Sequence, residues 1–187
     1  MNRRFFLAAA LIAVAPLAFS QAAPKKAPAS PAATETATIG GKAITITYNS
    51  PGVKGREGKI FTKDGLISKN PHYPVWRAGA NSATTLKTEA DLRIGGREGI
   101  TVPAGTYTLF VDITDPANWV LIVNKQNGEW GLAYDSAQDL GKVKMTMAAP
   151  PALVENLKYT LTDRGDGRGT LSLAWENVSA SVSLRVR

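Results

Sequence analysis

The feature that most restricts this chain is a repeated alternation of apolar and polar residues with a period of two. In the run 43–48 (AITITY), Ile44, Ile46 and Tyr48 fall on one side and the threonines on the other. Residues 106–113 place Tyr107, Leu109, Val111 and Ile113 on one side, with Thr108 and Asp112 opposite. The runs 157–161, 170–175 and 179–186 repeat the pattern, the last setting Val182, Leu184 and Val186 against Ser181, Ser183 and Arg185. A strand turns successive side chains to opposite faces, so this pattern describes half-buried antiparallel strands. Gly40-Gly41, Gly95-Gly96, Pro103-Ala104-Gly105, Asp115-Pro116, Asn127-Gly128 and Gly165-Asp166-Gly167 punctuate the runs. Asn127-Gly128 is the pair expected to supply the positive φ angles of a tight hairpin. No segment has the 3.6-residue period of an amphipathic helix. A turn or two of helix is expected at 135–140 and at 151–156, the second started by Pro150-Pro151. The expectation is an all-β antiparallel sandwich of eight to ten short strands, with a jelly roll among its arrangements.

The first twenty residues read as an address. Arg3-Arg4 precedes an apolar, alanine-rich stretch, residues 5–19, that is short for a membrane span, and Ala18 and Ser20 are small residues at the positions a signal peptidase reads. Cleavage is expected after Ser20 or Ala22. The twin arginines leave two routes open, an ordinary secretory signal and a twin-arginine signal. Either one places the protein in the periplasm or outside the cell, with no membrane span in the mature chain. Residues 21–35 are rich in Pro and Ala and read as a tether. Ordered structure is expected from Thr36, leaving about 150 residues, one domain able to bury its own core.

The chain has no cysteine, so neither a disulfide nor a Cys nucleophile is available. Its one histidine, His72, lies in a proline-rich loop without a nucleophile-elbow motif. A zinc site would lack its usual ligands. No metal or other cofactor is implied. Paired carboxylates among the fifteen acidic residues leave a glycan hydrolase as an alternative; Asp112 with Asp115 and Asp135 with Asp139 fit turns at least as well. Without Arg3 and Arg4, twenty basic residues face fifteen acidic ones. The basic residues of the domain form no run and read as single charges on a solvated surface, so nucleic acid is not an expected partner.

Two clusters are candidate ligand sites. In a strand, neighbours Trp76 and Arg77 point to opposite faces. With Trp76 in the core, Arg77 either pairs with an internal acid or carbonyl, or faces a groove where its fork holds a carboxylate, sulfate or sugar hydroxyl. Asn81, in the following turn, caps that turn or reaches the same groove. The second cluster surrounds residues 118–134. Trp119, Trp130 and Tyr134 stand near Asn124, Lys125, Gln126 and Asn127. Aromatic faces beside amides suit a sugar, and equally suit an ordinary core. The candidate surface is therefore Arg77, Asn81, Asn124 and Trp130, with Trp76 and Tyr134 beside them, for a glycan or a small anionic ligand. A structural domain that binds only protein partners is the third reading. DRGDGRG at 163–169 contains an adhesion-like tripeptide and a partial calcium pattern, but reads as a hairpin tip.

Five blocks carry a family resemblance: ITITYNSPGVKGR (44–56), VWRAGANSATTL (75–86), VPAGTYTLF (102–110), NWVLIVNKQNGEWG (118–131) and LSLAWENVSASVSL (171–184). In this order they resemble the DUF2911 family of exported bacterial proteins, whose function is uncharacterised. The resemblance runs from about Thr36 to the C-terminus. It implies an all-β domain and no particular activity. Two departures stand out. Ser82 occupies a place where the family usually has an acid, and KNPHYP (69–74) replaces the usual Tyr-Gly turn. A family function that used the acid would be altered or missing here.

Overall fold

The computed structural model describes residues 29–128 and 130–187. The signal peptide expected at 1–20 and the tether at 21–28 lie outside the described residues. The rest of the expected tether is ordered: β1 (Ala32–Ile39) begins four residues before Thr36 and pairs along its length with β2 (Lys42–Asn49). Glu35 anchors it across the sandwich, its carboxylate accepting the Leu161 amide at 3.1 Å.

Two antiparallel sheets form an open sandwich, not closed into a barrel. The first runs β1-β2-β4-β7-β8-β9, using β4 (Thr84–Thr88), β7 (Gly105–Asp112), β8 (Val120–Asn124) and β9 (Asp139–Lys144), with β3 (Val75–Trp76) also paired to β7. The second runs β11-β12-β13-β5-β6, using β11 (Val154–Gly165), β12 (Arg168–Glu176), β13 (Val178–Val186), β5 (Leu92–Ile94) and β6 (Ile100–Val102), with β10 (Thr146–Ala148) also paired to β13. The thirteen strands among the described residues exceed the eight to ten expected because β3, β5, β6 and β10 are only two or three residues long. Such pieces are too short to display a period.

The expected inward faces are the core. Ile44, Ile46 and Tyr48 face Leu157, Tyr159 and Leu161, together with Leu171, Leu173, Val182 and Leu184, all buried. Around one end, Phe61 is ringed by Trp76, Trp119 and Trp175 at centroid distances of 5.7, 4.9 and 5.7 Å, and the indoles of Trp76 and Trp175 are stacked. Trp119 is thus a core residue and offers no sugar platform.

β7 departs from simple alternation, since Thr108, Leu109, Phe110 and Val111 are all buried. Leu109 and Val111 join the main core. Phe110 faces the other way, opposite Ile122 in register, and packs on Tyr134 at 4.8 Å. The connection 125–138 folds over the outer face of the sheet and makes a satellite core there. Asn127-Gly128 therefore lies in a long covering loop instead of a tight hairpin, although Gly128 has the positive φ. The helical turn expected at 135–140 is a short 3₁₀ turn, Ser136–Gln138, capped by the Asp135 carboxylate. The one expected at 151–156 is absent, because Val154 already begins β11. The two-residue loop Gly40-Gly41 and the tip Gly165-Asp166-Gly167 are hairpins with left-handed residues, as their composition predicts.

Candidate functional site

Trp76 and Arg77 sit where β3 ends. Trp76 pairs with Val111 in register and is 1% exposed; its indole N–H donates to the Gly79 carbonyl at 3.3 Å. After Arg77 the chain turns through two left-handed residues, Ala78 (φ 49°) and Asn81 (φ 56°). Asparagine tolerates that region; alanine is strained there by roughly 1 kcal/mol or more. Hydrogen bonds hold the strained residue. Its carbonyl accepts the Tyr159 hydroxyl at 2.9 Å and the Thr84 hydroxyl at 3.1 Å. Tyr159 is wholly buried, and desolvation pushes its phenol well above the ordinary value. The turn is therefore clamped from the core side.

A second clamp comes from the covering loop. Ser82 and Trp130 form a β-bridge, and the Gly131 amide donates to the Asn81 carbonyl at 3.1 Å. Gly131 lies so close over Arg77 that a Cβ added there would stand 2.3 Å from Arg77 Cδ and 2.8 Å from the Asn81 carbonyl oxygen. Glycine is required by this approach.

The result is a half-buried guanidinium. Its Nη1 is buried and has no hydrogen-bond partner among the described residues, and no carboxylate there forms an ion pair with it. Burial lowers the pKa of the group, as expected for a cation moved out of water. A buried charge without a partner is costly, and among the described residues no internal acid or carbonyl of the kind foreseen for Arg77 reaches its Nη1.

Arg77 opens into a cleft of about 600 Å³. Asn81 and Trp76 line it too, as do Lys54, Arg56 and Lys69. Arg56 is spent on backbone, donating to the carbonyls of Val53 at 2.9 Å and Gly52 at 2.7 Å, and Lys54 donates to Ala29 at 2.7 Å. Trp175 also borders the cleft, and its indole Nε1 is buried without an acceptor. Arg77, just after β3, and Trp175, on β12, thus line one cleft, and each has a buried donor without a partner among the described residues. Among the described residues no Asp or Glu lines it.

The remaining candidates are elsewhere. Asn124 is fully buried and saturated, donating to the Asp135 carbonyl and the Asp139 carboxylate at 2.9 Å each and accepting the Gln126 amide at 2.9 Å. Its position is structural: it pins the covering loop to β8. Tyr134 does the same, with its hydroxyl donating to Asp139 at 2.8 Å and its ring against Phe110 and His72. Desolvation, then that bond, raises its phenol pKa. Trp130 is 57% exposed and does not line the cleft. Trp76, Arg77 and Asn81 therefore line one cleft, which Asn124, Trp130 and Tyr134 do not, although Trp130 bridges Ser82 beside Asn81. Sequence reasoning missed Trp175, whose alternation marks it as core and gives no sign of an orphaned N–H.

Such a clamped cation with an open cleft defines an all-β domain with a candidate anion pocket. The family described as Protein of unknown function (DUF2911) matches residues 30–184, and the chain belongs to that family. No curated protein and no solved structure matches the chain. Among the described residues no helix is long and apolar enough to cross a membrane, and no group of His, Cys, Asp or Glu is arranged to hold a metal ion.

Proposed function

We propose that this protein is an exported, non-catalytic binding module whose Arg77 cleft takes a small anionic ligand with a carboxylate or similar planar head. The observation that carries the reading is that Arg77 lines an open cleft while its buried Nη1 has no partner among the described residues. An anion would supply the missing acceptor, and charge-assisted bonds to a guanidinium are among the stronger polar contacts. Trp175 borders the same cleft, and its buried Nε1 is likewise without an acceptor among the described residues. The stacked indoles of Trp76 and Trp175, both 1% exposed, back the cleft from the core side. Lys69 adds positive charge. The glycan surface built on Asn124 has no support, since that amide is fully engaged. The hydrolase reading lacks a carboxylate in the cleft among the described residues. Export rests on the N-terminal residues alone, Arg3-Arg4, the apolar stretch and Ala18-Phe19-Ser20.

A thermal-shift screen of mono- and dicarboxylates, sulfonates and neutral sugars tests the binding reading, because a ligand of the native state raises Tm by mass action. A shift with anions, lost in Arg77→Gln and kept in Trp130→Ala, is the expected result. A shift with neutral sugars that depends on Trp130 would overturn it. For export, the chain recovered from cells should begin at Gln21 or Ala23; an intact Met1 in the envelope fraction would refute processing.

A further inference from the structure

A second cleft, independent of Arg77, lies at the other end of β12. Its volume is about 790 Å³, and six arginines line it: Arg93, Arg97, Arg164, Arg168, Arg185 and Arg187. No acidic residue is in its lining. Three of the six lie in one row. Arg168 on β12 is opposite Arg185 on β13, and Arg185 is opposite Arg93 on β5. Residues opposite each other in an antiparallel pair share a face, and like charges there repel. Strands are about 4.8 Å apart, so the row spans about 10 Å. The short side chains of Thr170 and Ser183, the next register pair on the same face, make the hollow between the arginines. Five of the six arginines are exposed and Arg93 is half-buried.

Local pairing does not neutralise the row. Arg168 meets Asp166 at 2.8 Å, an exposed pair at the hairpin tip. Arg93 donates to the backbone carbonyls of Gly96 at 3.0 Å and Arg97 at 2.5 Å, which orients it without cancelling its charge. Arg164 donates only to the Thr170 hydroxyl, at 3.4 Å. Arg185 and Arg187 form no side-chain ion pair among the described residues.

We propose that this cleft binds a compact ligand carrying a chain of phosphate groups. Guanidinium forks match phosphate oxygens two at a time, and three forks in a row match successive phosphates better than one isolated anion. Other polyanions fit less well. Single-stranded nucleic acid is held largely by stacking on aromatic rings, and the lining contains none. A membrane-binding face usually adds exposed apolar anchors; the large exposed apolar residues here are Tyr73, Trp130 and Leu153, none of which borders the cleft.

The test is a calorimetric titration of the purified chain with linear tripolyphosphate, beside orthophosphate, an oligo-dT strand, and vesicles of phosphatidylcholine with phosphatidylserine. Tripolyphosphate should bind, more tightly than orthophosphate, and more weakly as salt rises. Arg168→Gln with Arg185→Gln should weaken it at least about tenfold, while Lys87→Gln, exposed on β4 of the other sheet and outside both clefts, leaves it unchanged. Melting curves confirm that each variant is folded; if the double variant is not, Arg185→Gln alone serves. No tripolyphosphate binding, or binding indifferent to these arginines, would overturn the proposal. Arginine-dependent binding of only the vesicles or only the oligonucleotide would overturn it in favour of those partners.

Discussion

One strand joins two very different arrangements of positive charge. β12 begins at Arg168, in the six-arginine cleft, and reaches Trp175, in the Arg77 cleft, about 23 Å further on. In the first, charge is concentrated by number, and each guanidinium keeps much of its contact with water. In the second, a single guanidinium is isolated and partly dehydrated. Exposed like charges repel weakly and are screened by salt. A buried unpaired charge is unfavourable at any salt concentration. The two clefts should therefore differ in how substitution and ionic strength affect the protein.

The largest effect is expected at the clamp over Arg77. Gly131→Ala drives a methyl group into Arg77 Cδ and the Asn81 carbonyl. Overpacking of this kind should cost about 2–3 kcal/mol, read from chemical denaturation. Combining it with Arg77→Ala should recover part of the loss; strict additivity would show that the contact with Arg77 is not its source. Next comes Arg77→Met, which keeps an unbranched chain and removes the charge. No partner is orphaned among the described residues, so stability should stay level or rise by about 1 kcal/mol, while the response to anions disappears. A clear drop in stability would instead reveal a hidden partner for the guanidinium.

Tyr134→Phe tests the cover itself. Loss of the bond to Asp139 should cost about 1 kcal/mol at neutral pH. The pH dependence has a definite sign. Folding raises the phenol pKa, so the neutral form is favoured in the native state, and that stability is present below the ordinary value of 10.0 and lost as pH rises through the raised one. Stability of the wild type should fall above about pH 10; Tyr134→Phe should flatten part of that fall, and an unchanged slope would break the assignment. The smallest effect is on the arginine row. Arg185→Gln relieves repulsion with both neighbours and should raise stability by a few tenths of a kcal/mol at low salt, roughly the size of a surface charge term. The gain should vanish in high salt, whereas the effect of Arg77→Met should persist.

Much of the fold was legible because alternation is a local property. Ile44, Ile46 and Tyr48 could be assigned inward without knowing their neighbours, and Gly40-Gly41 could be read as a turn from conformational freedom alone. Trp76 could be read as core only as a large apolar residue beside Arg77, since β3 is too short to display a period. Less of the site was legible. Asn124 and Tyr134 were grouped with Trp130 because they are close in sequence, yet the covering loop turns two of them to structural bonds and leaves the third in solvent.

By itself, then, the sequence determined the two-faced strands, the hairpin tips and the absence of any helical layer. Each depends on residues within a few positions of one another. Register between strands was decided only by tertiary structure. Arg93, Arg168 and Arg185 read along the chain as scattered single charges, and only the pairing of β12, β13 and β5 makes them a row. Likewise, whether Arg77 has a counter-ion depends on which distant groups fold around it, and among the described residues those groups are the Gly131 backbone, a clamped turn and an open cleft.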